Sequence, residues 1–247
     1  PYTAEEIVSI RYLLEEKPCL IIKIIDATNM ERNLYLTTQL LELNIPMILV
    51  LNMMDEVITS GNSIDIDGLK ERLEMDIVPI SASKNEGIED VITAIENNLD
   101  KPSQHIDICH GVVHKAIHSI SHIVEQSAQS LQLPLRYCVT KIIEGDDEMF
   151  DQLHIDQGDR HIIEHILQKM EEEAGTDREA ALVDMRYSFI EDVCKQTVFI
   201  ESETKEQIRS EKIDRLLTHK YLGIPIFILI MLLIFYLTFS LIGAPLQ

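Results

Sequence analysis

The chain has 247 residues, and its 21 lysines and arginines against 42 aspartates and glutamates give a formal net charge of −21. Such an acidic chain lacks the Lys/Arg surface that binds phosphate backbones, so nucleic acid is not an expected partner. The charge is unevenly distributed, because residues 221–247 contain no Asp, Glu, Lys or Arg. The composition therefore indicates an acidic body followed by an apolar tail.

Short apolar runs alternate with amphipathic segments in the first hundred residues. In chain order they lie at 20–25, 30–43, 47–51, 66–75, 77–80 and 88–98. This alternation predicts strands and helices in turn, which is typical of a parallel sheet covered on both faces. Ligands of such sheets bind at the carboxyl ends of the strands. Asp26, Asn52 and Ser81 follow the three predicted strands.

Two of these strand ends carry residues suited to guanine recognition. Asn52 and Asp55 form an N-x-x-D pattern, and Ser81, Ala82 and Ser83 follow the next strand. A carboxylate at Asp55 can accept hydrogen bonds from both N1–H and the exocyclic amino group of guanine. Adenine does not present these two adjacent donors. Asn52 is predicted to bind the ring edge and to tie the two loops together, while a loop N–H donates to O6. The alternative is a pair of ordinary polar turns between strand and helix.

The acidic middle of the chain, residues 103–219, has helical periodicity and predicts a bundle of four to six helices. Its excess of acidic residues is interpreted as a solvated face, with a cation-attracting surface as the alternative.

Four histidines in this region recur at every fourth position, namely His110, His114, His118 and His122. Adjacent members of such a series lie on one helix face, close enough to share a metal ion. The favoured interpretation is a solvated polar face, and the alternative is a metal-sensing stripe.

The tail contains an uninterrupted apolar segment at residues 222–242. At a rise of ~1.5 Å per residue it spans about 30 Å, the hydrocarbon thickness of a bilayer, and it predicts a transmembrane helix. The basic residues just before it place the acidic body on the cytoplasmic side; they are Lys212, Arg215, His219 and Lys220.

The sequence resembles the FeoB family of ferrous iron transporters. Residues 26–56 resemble its G domain, and residues 81–95 resemble its last guanine loop and closing helix. The segment at 1–14 is similar to the region after the family's switch II D-x-x-G element. Residues 183–193 and 212–231 resemble the end of its helical domain and the entry to its first membrane helix. The most specific matches are NMMD, ERNLYL and GIPIF.

The resemblance implies three domains. Residues 1–100 would be the C-terminal part of an α/β, P-loop GTPase-like parallel sheet, 101–220 an all-α helical domain, and 221–247 the first transmembrane helix. The P-loop, the switch I threonine and the D-x-x-G aspartate would precede Pro1. The sequence is therefore expected to belong to a longer protein, and by itself it is expected not to hydrolyse GTP. The cofactors implied are GTP and GDP, with Mg²⁺ only in the intact protein.

The resemblance also assigns individual residues. Asn52, Met53, Asp55 and the loop at 81–83 would hold the guanine base. Met53 stands where many GTPases have lysine, so it packs on the base but offers no charge. In the switch II remnant, Thr3 and Glu6 are expected to change position with nucleotide state.

The function implied is part of a bacterial inner-membrane Fe²⁺ transporter, multi-pass when intact, with residues 1–220 cytoplasmic. Its GTP-binding domain would bind and hydrolyse GTP to regulate or drive iron uptake. Partners implied besides the nucleotide and Fe²⁺ are a small cytoplasmic accessory transport protein and a second copy of the chain. Two alternatives are a non-catalytic membrane-anchored guanine-nucleotide-binding module and a soluble ribosome-assembly GTPase, which the acidic body and the apolar tail disfavour.

Overall fold

A computed structural model describes residues 4–99, 101–103, 108–200 and 223–236. The chain divides into two compact units, with the boundary after Phe199. The elements of the first unit are α1 (Ala4–Glu16), β1 (Ile21–Asp26), α2 (Met30–Leu41), β2 (Met47–Asn52), α3 (Met54–Thr59), β3 (Ser63–Ile64), α4 (Ile66–Leu73), β4 (Asp76–Pro79), α5 (Ile88–Asn98), α6 (Gly111–Ser130), α7 (Leu135–Ile143), α8 (Asp147–Gln152), α9 (Gln157–Ala174), α10 (Arg178–Thr197) and β5 (Val198–Phe199). The second unit contains α11 (Gly223–Tyr236).

Strands β1, β2 and β4 form a parallel sheet with β2 in the centre, which confirms the predicted fold class of the first hundred residues. Val50 in the middle of β2 lies opposite Ile24 of β1 and Val78 of β4. At the carboxyl end, Asn52 lies opposite Asp26. The strand ends that carry the sequence motifs therefore meet at one edge of the sheet.

The central strand is buried on both faces, as its continuous apolar sequence predicts. Met47, Leu49 and Leu51 join a core that includes residues of α2, α4 and α10. Ile48 and Val50 join a smaller core on the opposite face, against which side chains of α5 pack. Asn52 is the first residue of β2 that is not fully buried, so a polar side chain lies near the surface at the carboxyl end of the strand.

Five helices, α6 to α10, lie between residues 108 and 200 and confirm the predicted all-α bundle. The apolar stripe of α6 is buried against α7 and α9. Helices α8, α9 and α10 each begin after an aspartate whose carboxylate accepts backbone N–H bonds of the first turn, which satisfies donors that the helix leaves unpaired. These residues are Asp146, Asp156 and Asp177.

Helix α10 contributes to two cores and so joins the sheet to the bundle. Its first half buries Ala181, Leu182 and Met185 in the helical core. Its second half places Ile190, Val193 and Cys194 in the core of the sheet. The chain then continues into β5, which pairs antiparallel with β3.

A buried ion pair lies at this junction. Arg186 of α10 is 1% exposed, and its Nη2 donates to Glu42 Oε1 at 2.9 Å. Nη1 lies 3.5 Å from Glu144 Oε1, and the guanidinium lies over the Tyr35 ring at 5.8 Å. Burial raises the pKa of Glu42, while Arg186 acts in the opposite direction.

In the second unit, α11 is a 14-residue apolar helix. Across the described ranges, no helix combines the length and the apolarity needed to cross a membrane. Residues 222 and 237–242 of the predicted span lie outside the described residues, as do the four basic residues that precede it. The transmembrane helix therefore stays a prediction.

Candidate functional site

The ends of β2 and β4 are tied together by hydrogen bonds. Asn52 Oδ1 accepts from the backbone N–H of Ala82 at 3.0 Å. Two residues after Asn52, the N–H of Met54 donates to Ile80 O at 3.2 Å. These bonds bring the N-x-x-D segment and the segment after β4 into one cluster.

Asp55 lies in the first turn of α3 and faces the same loop. Its Oδ2 accepts from Ser83 Oγ at 3.3 Å and lies 3.7 Å from Lys84 Nζ. Its Oδ1 is buried and has no hydrogen-bond partner among the residues that the structure describes. The Ser81 hydroxyl, the backbone, Lys84 and Ser83 lower the pKa of Asp55 against the effect of burial. Asp55 is therefore ionised at neutral pH.

The loop after β4 is closed on itself by two backbone bonds. Ser81 N–H donates to Glu86 O at 3.1 Å, and Glu86 N–H donates back to Ser81 O at 3.0 Å. Within this loop the N–H of Ala82 is bound by Asn52 and that of Lys84 donates to Ser81 O at 3.2 Å. The N–H of Ser83 makes no protein hydrogen bond within the described residues, so it can donate to a ligand without breaking an existing bond.

Met53 turns the chain between the two motif residues. It adopts a left-handed conformation with φ +65, immediately before α3, and the residue is 38% exposed. A left-handed non-glycine residue costs roughly 1–3 kcal/mol and often occurs at functional sites. Met53 is therefore an exposed apolar residue that lies between Asn52 and Asp55 in the sequence.

The other strand-end carboxylate, Asp26, does not join the cluster. Its Oδ1 accepts from the N–H and the hydroxyl of Thr28, at 2.8 and 2.7 Å, and caps a short 3-10 turn. Among the described residues no three His, Cys, Asp or Glu side chains are grouped to hold a metal ion.

The remaining predicted site residues lie elsewhere. Thr3 is outside the described residues, and Glu6 lies in α1, where only its backbone is described. Of the four histidines, His110 precedes α6 and the other three lie on it. The rings of His114 and His118 are 6.5 Å apart between centroids, and those of His118 and His122 are 4.6 Å apart.

Sequence reasoning overlooked two residues of the loop after β4. Lys84 brings a cation within 3.7 Å of Asp55 Oδ2, whereas Met53 offers no charge. Gly87 has φ +79, and a Cβ at this position would lie 2.6 Å from Pro79 O. The sequence contained one signal for Gly87, because this glycine lies six residues after Ser81 and directly before a predicted helix. Glycine is favoured where φ is positive and where another part of the backbone lies close.

Gly87→Ala is expected to destabilise the loop after β4. The alanine meets both the positive φ and the contact with Pro79 O, so the free energy of unfolding should fall by at least about 3 kcal/mol. The matched control is Gly175→Ala, because Gly175 has φ +72 but a Cβ there meets no described atom within 4 Å. This control should cost only about 1 kcal/mol. Urea unfolding of both variants measures the free energy of unfolding. Equal losses of stability in the two variants would contradict the role assigned to the close contact between position 87 and Pro79 O.

Comparison with known proteins identifies the family. Residues 1–95 match the family model of ferrous iron transport protein B, and residues 110–198 match that of the FeoB cytosolic helical domain. The chain belongs to the FeoB family. A solved structure of an NFeoB mutant from S. thermophilus bound to GDP is 33% identical, with a TM-score of 0.73. The comparison covers 80% of this chain and 76% of that one.

Curated FeoB relatives extend the match over nearly the whole chain. The Fe(2+) transport protein A/Fe(2+) transporter FeoB fusion protein of Porphyromonas gingivalis is 33% identical over 98% of this chain. The Fe(2+) transporter FeoB of Staphylococcus aureus strain MSSA476 is 31% identical over 100% of it. The chain spans about a third of the length of these relatives, namely 30% of the first and 37% of the second.

Proposed function

We propose that this FeoB-family chain binds the guanine base of GTP and GDP through Asn52, Asp55 and the loop after β4. The observation that carries the proposal is the ionised Asp55 at the strand ends, held against Ser83 in the loop that Asn52 ties to β2. Guanine provides two adjacent donors, N1–H and the 2-amino group, which match the two oxygens of one carboxylate.

The other groups at the strand ends complete this base site. The unbonded N–H of Ser83 supplies a donor for O6, which adenine lacks. Asn52 holds the loop in place through Ala82, so it positions this donor. Met53 provides an apolar surface for the base.

In the intact protein, we assign this site to a bacterial inner-membrane transporter of Fe²⁺, with residues 1–220 in the cytoplasm. GTP binding and hydrolysis would regulate or drive iron uptake. Support comes from the relatives named as Fe(2+) transporters and from the GDP-bound NFeoB structure. The fusion protein of P. gingivalis supports Fe(2+) transport protein A as the accessory partner. Helix α10 offers a mechanical link from the base site's sheet to the helical bundle, because it lies in both cores.

The affinity order for nucleoside monophosphates tests the base site without relying on a phosphate-binding loop. The 247-residue chain in detergent should bind GMP most tightly and IMP about 10–100-fold more weakly, because IMP lacks the 2-amino donor to a charged acceptor. AMP, which lacks N1–H and O6, should not bind measurably. NMR shifts of the Ala82 and Ser83 amides report the titration. Equal affinities for GMP and AMP would overturn the proposal.

A further inference from the structure

A pair of histidines on α6 lies far along the chain from the guanine site and forms a close ring contact. The rings of His118 and His122 are 4.6 Å apart between centroids, at an interplanar angle of 81°. Both side chains are exposed to solvent. We propose that His118 and His122 together bind a transition-metal ion of the type that prefers imidazole, such as Cu²⁺ or Zn²⁺.

The ring separation fits shared coordination of one ion. A ring nitrogen binds such metals at about 2.0–2.1 Å, which puts the ion roughly 3.2 Å from each ring centre. Two imidazoles at a square-planar or tetrahedral angle then have centres about 4.5–5.2 Å apart. The His118–His122 separation falls within this range. The 6.5 Å between the rings of His114 and His118 exceeds the separation that even a linear arrangement would allow.

The backbone that carries the pair is held rigidly. Helix α6 extends over 20 residues, and its apolar side is buried in the bundle core. The i, i+4 spacing of the two histidines is therefore fixed before an ion binds, and only side-chain rotations remain to be ordered. Exposure leaves the remaining coordination positions to water or an exchangeable ligand.

Electrostatics around the pair favour a cation. The chain carries a net charge of −21, which raises the local concentration of cations at its surface. The nearest basic residue along α6, Lys115, lies 3.9 Å from Glu173 Oε2 of α9, so a carboxylate partly neutralises its charge. Cu²⁺ is expected to bind most tightly, Zn²⁺ less tightly and Fe²⁺ more weakly still.

Cu²⁺ titration of the 247-residue chain, followed by electron paramagnetic resonance, tests the site. The wild-type spectrum should show two equivalent nitrogen ligands, and excess Zn²⁺ should displace the copper. His118→Ala and His122→Ala should each lower Cu²⁺ affinity at least about tenfold, because the second imidazole no longer binds intramolecularly. Both positions are exposed, so circular dichroism should show an unchanged fold.

The matched control is the double variant His161→Ala, His165→Ala, because these exposed histidines have the same spacing on α9. It should retain the wild-type Cu²⁺ affinity, as should His114→Ala. Wild-type affinity in the double variant His118→Ala, His122→Ala would overturn the proposal. Loss of the two-nitrogen spectrum in the α9 control would overturn it as well.

Discussion

Asp55→Asn should convert a guanine site into a xanthine site. Asparagine presents one acceptor and one donor where the carboxylate presents two acceptors, so it cannot satisfy both N1–H and the 2-amino group of guanine. Xanthine has a carbonyl at position 2 and pairs with the new donor. GMP affinity should fall at least about 100-fold, while XMP affinity rises to a similar extent, because sites built on buried hydrogen bonds discriminate strongly against mismatched groups.

The control for this substitution is Asp26→Asn. Asp26 is also a strand-end carboxylate, but it binds Thr28 and lies outside the cluster. It should leave the ratio of GMP to XMP affinities unchanged. Competition of GMP and XMP for the wild-type chain and both variants measures this ratio. The same ratio in Asp55→Asn and wild type would show that Asp55 does not read the base.

Arg186→Met should be the most destabilising single change at the junction of sheet and bundle. It leaves Glu42 buried without its cationic partner, and breaking a buried pair from one side typically costs about 3–5 kcal/mol. Replacing both partners, in the double variant Arg186→Met, Glu42→Met, should recover much of this loss because no charge is then left unpaired. Urea unfolding at pH 7 measures the free energy of unfolding.

The loss caused by Arg186→Met should depend on pH. Burial already raises the pKa of Glu42 against the effect of Arg186, and removing Arg186 raises it further. A raised folded-state pKa stabilises the fold below the unfolded pKa, and this contribution disappears as pH rises through the folded value. The variant should therefore be closest to wild type near pH 4 and furthest from it near pH 8.

A surface pair provides the comparison for Arg186. Lys195→Met removes an exposed i, i+4 partner of Glu191, at 2.7 Å, and should leave the free energy of unfolding nearly unchanged. A loss in Arg186→Met no larger than in Lys195→Met, with no pH dependence, would contradict the role assigned to the buried pair.

The sequence predicted the sheet well because its central strand is apolar at consecutive positions. Residues 47–51 can only be buried on both faces, and parallel strands place their carboxyl ends at one edge. That logic brought Asn52 and the loop after β4 together from the sequence alone. It also placed Asp26 at the same edge, but it could not show that this carboxylate is used to cap a turn.

Contacts between segments that are far apart in the chain could not be predicted from the sequence. Arg186 and Glu42 are 144 positions apart, and each looks like an ordinary surface charge on an amphipathic helix. The pairing of β3 with β5 involves two residues on each strand, too few to leave a periodic signal. The histidine spacing predicted neighbouring rings, but side-chain rotamers, which spacing does not determine, distinguish the pair at 4.6 Å from the pair at 6.5 Å.

The most direct test of guanine recognition is a crystal structure of this chain with bound GMP. N1 and the 2-amino nitrogen should each lie about 2.7–3.2 Å from a different carboxylate oxygen of Asp55, with O6 at the loop after β4. A base bound elsewhere, or one whose N1 and 2-amino groups face away from Asp55, would contradict the account.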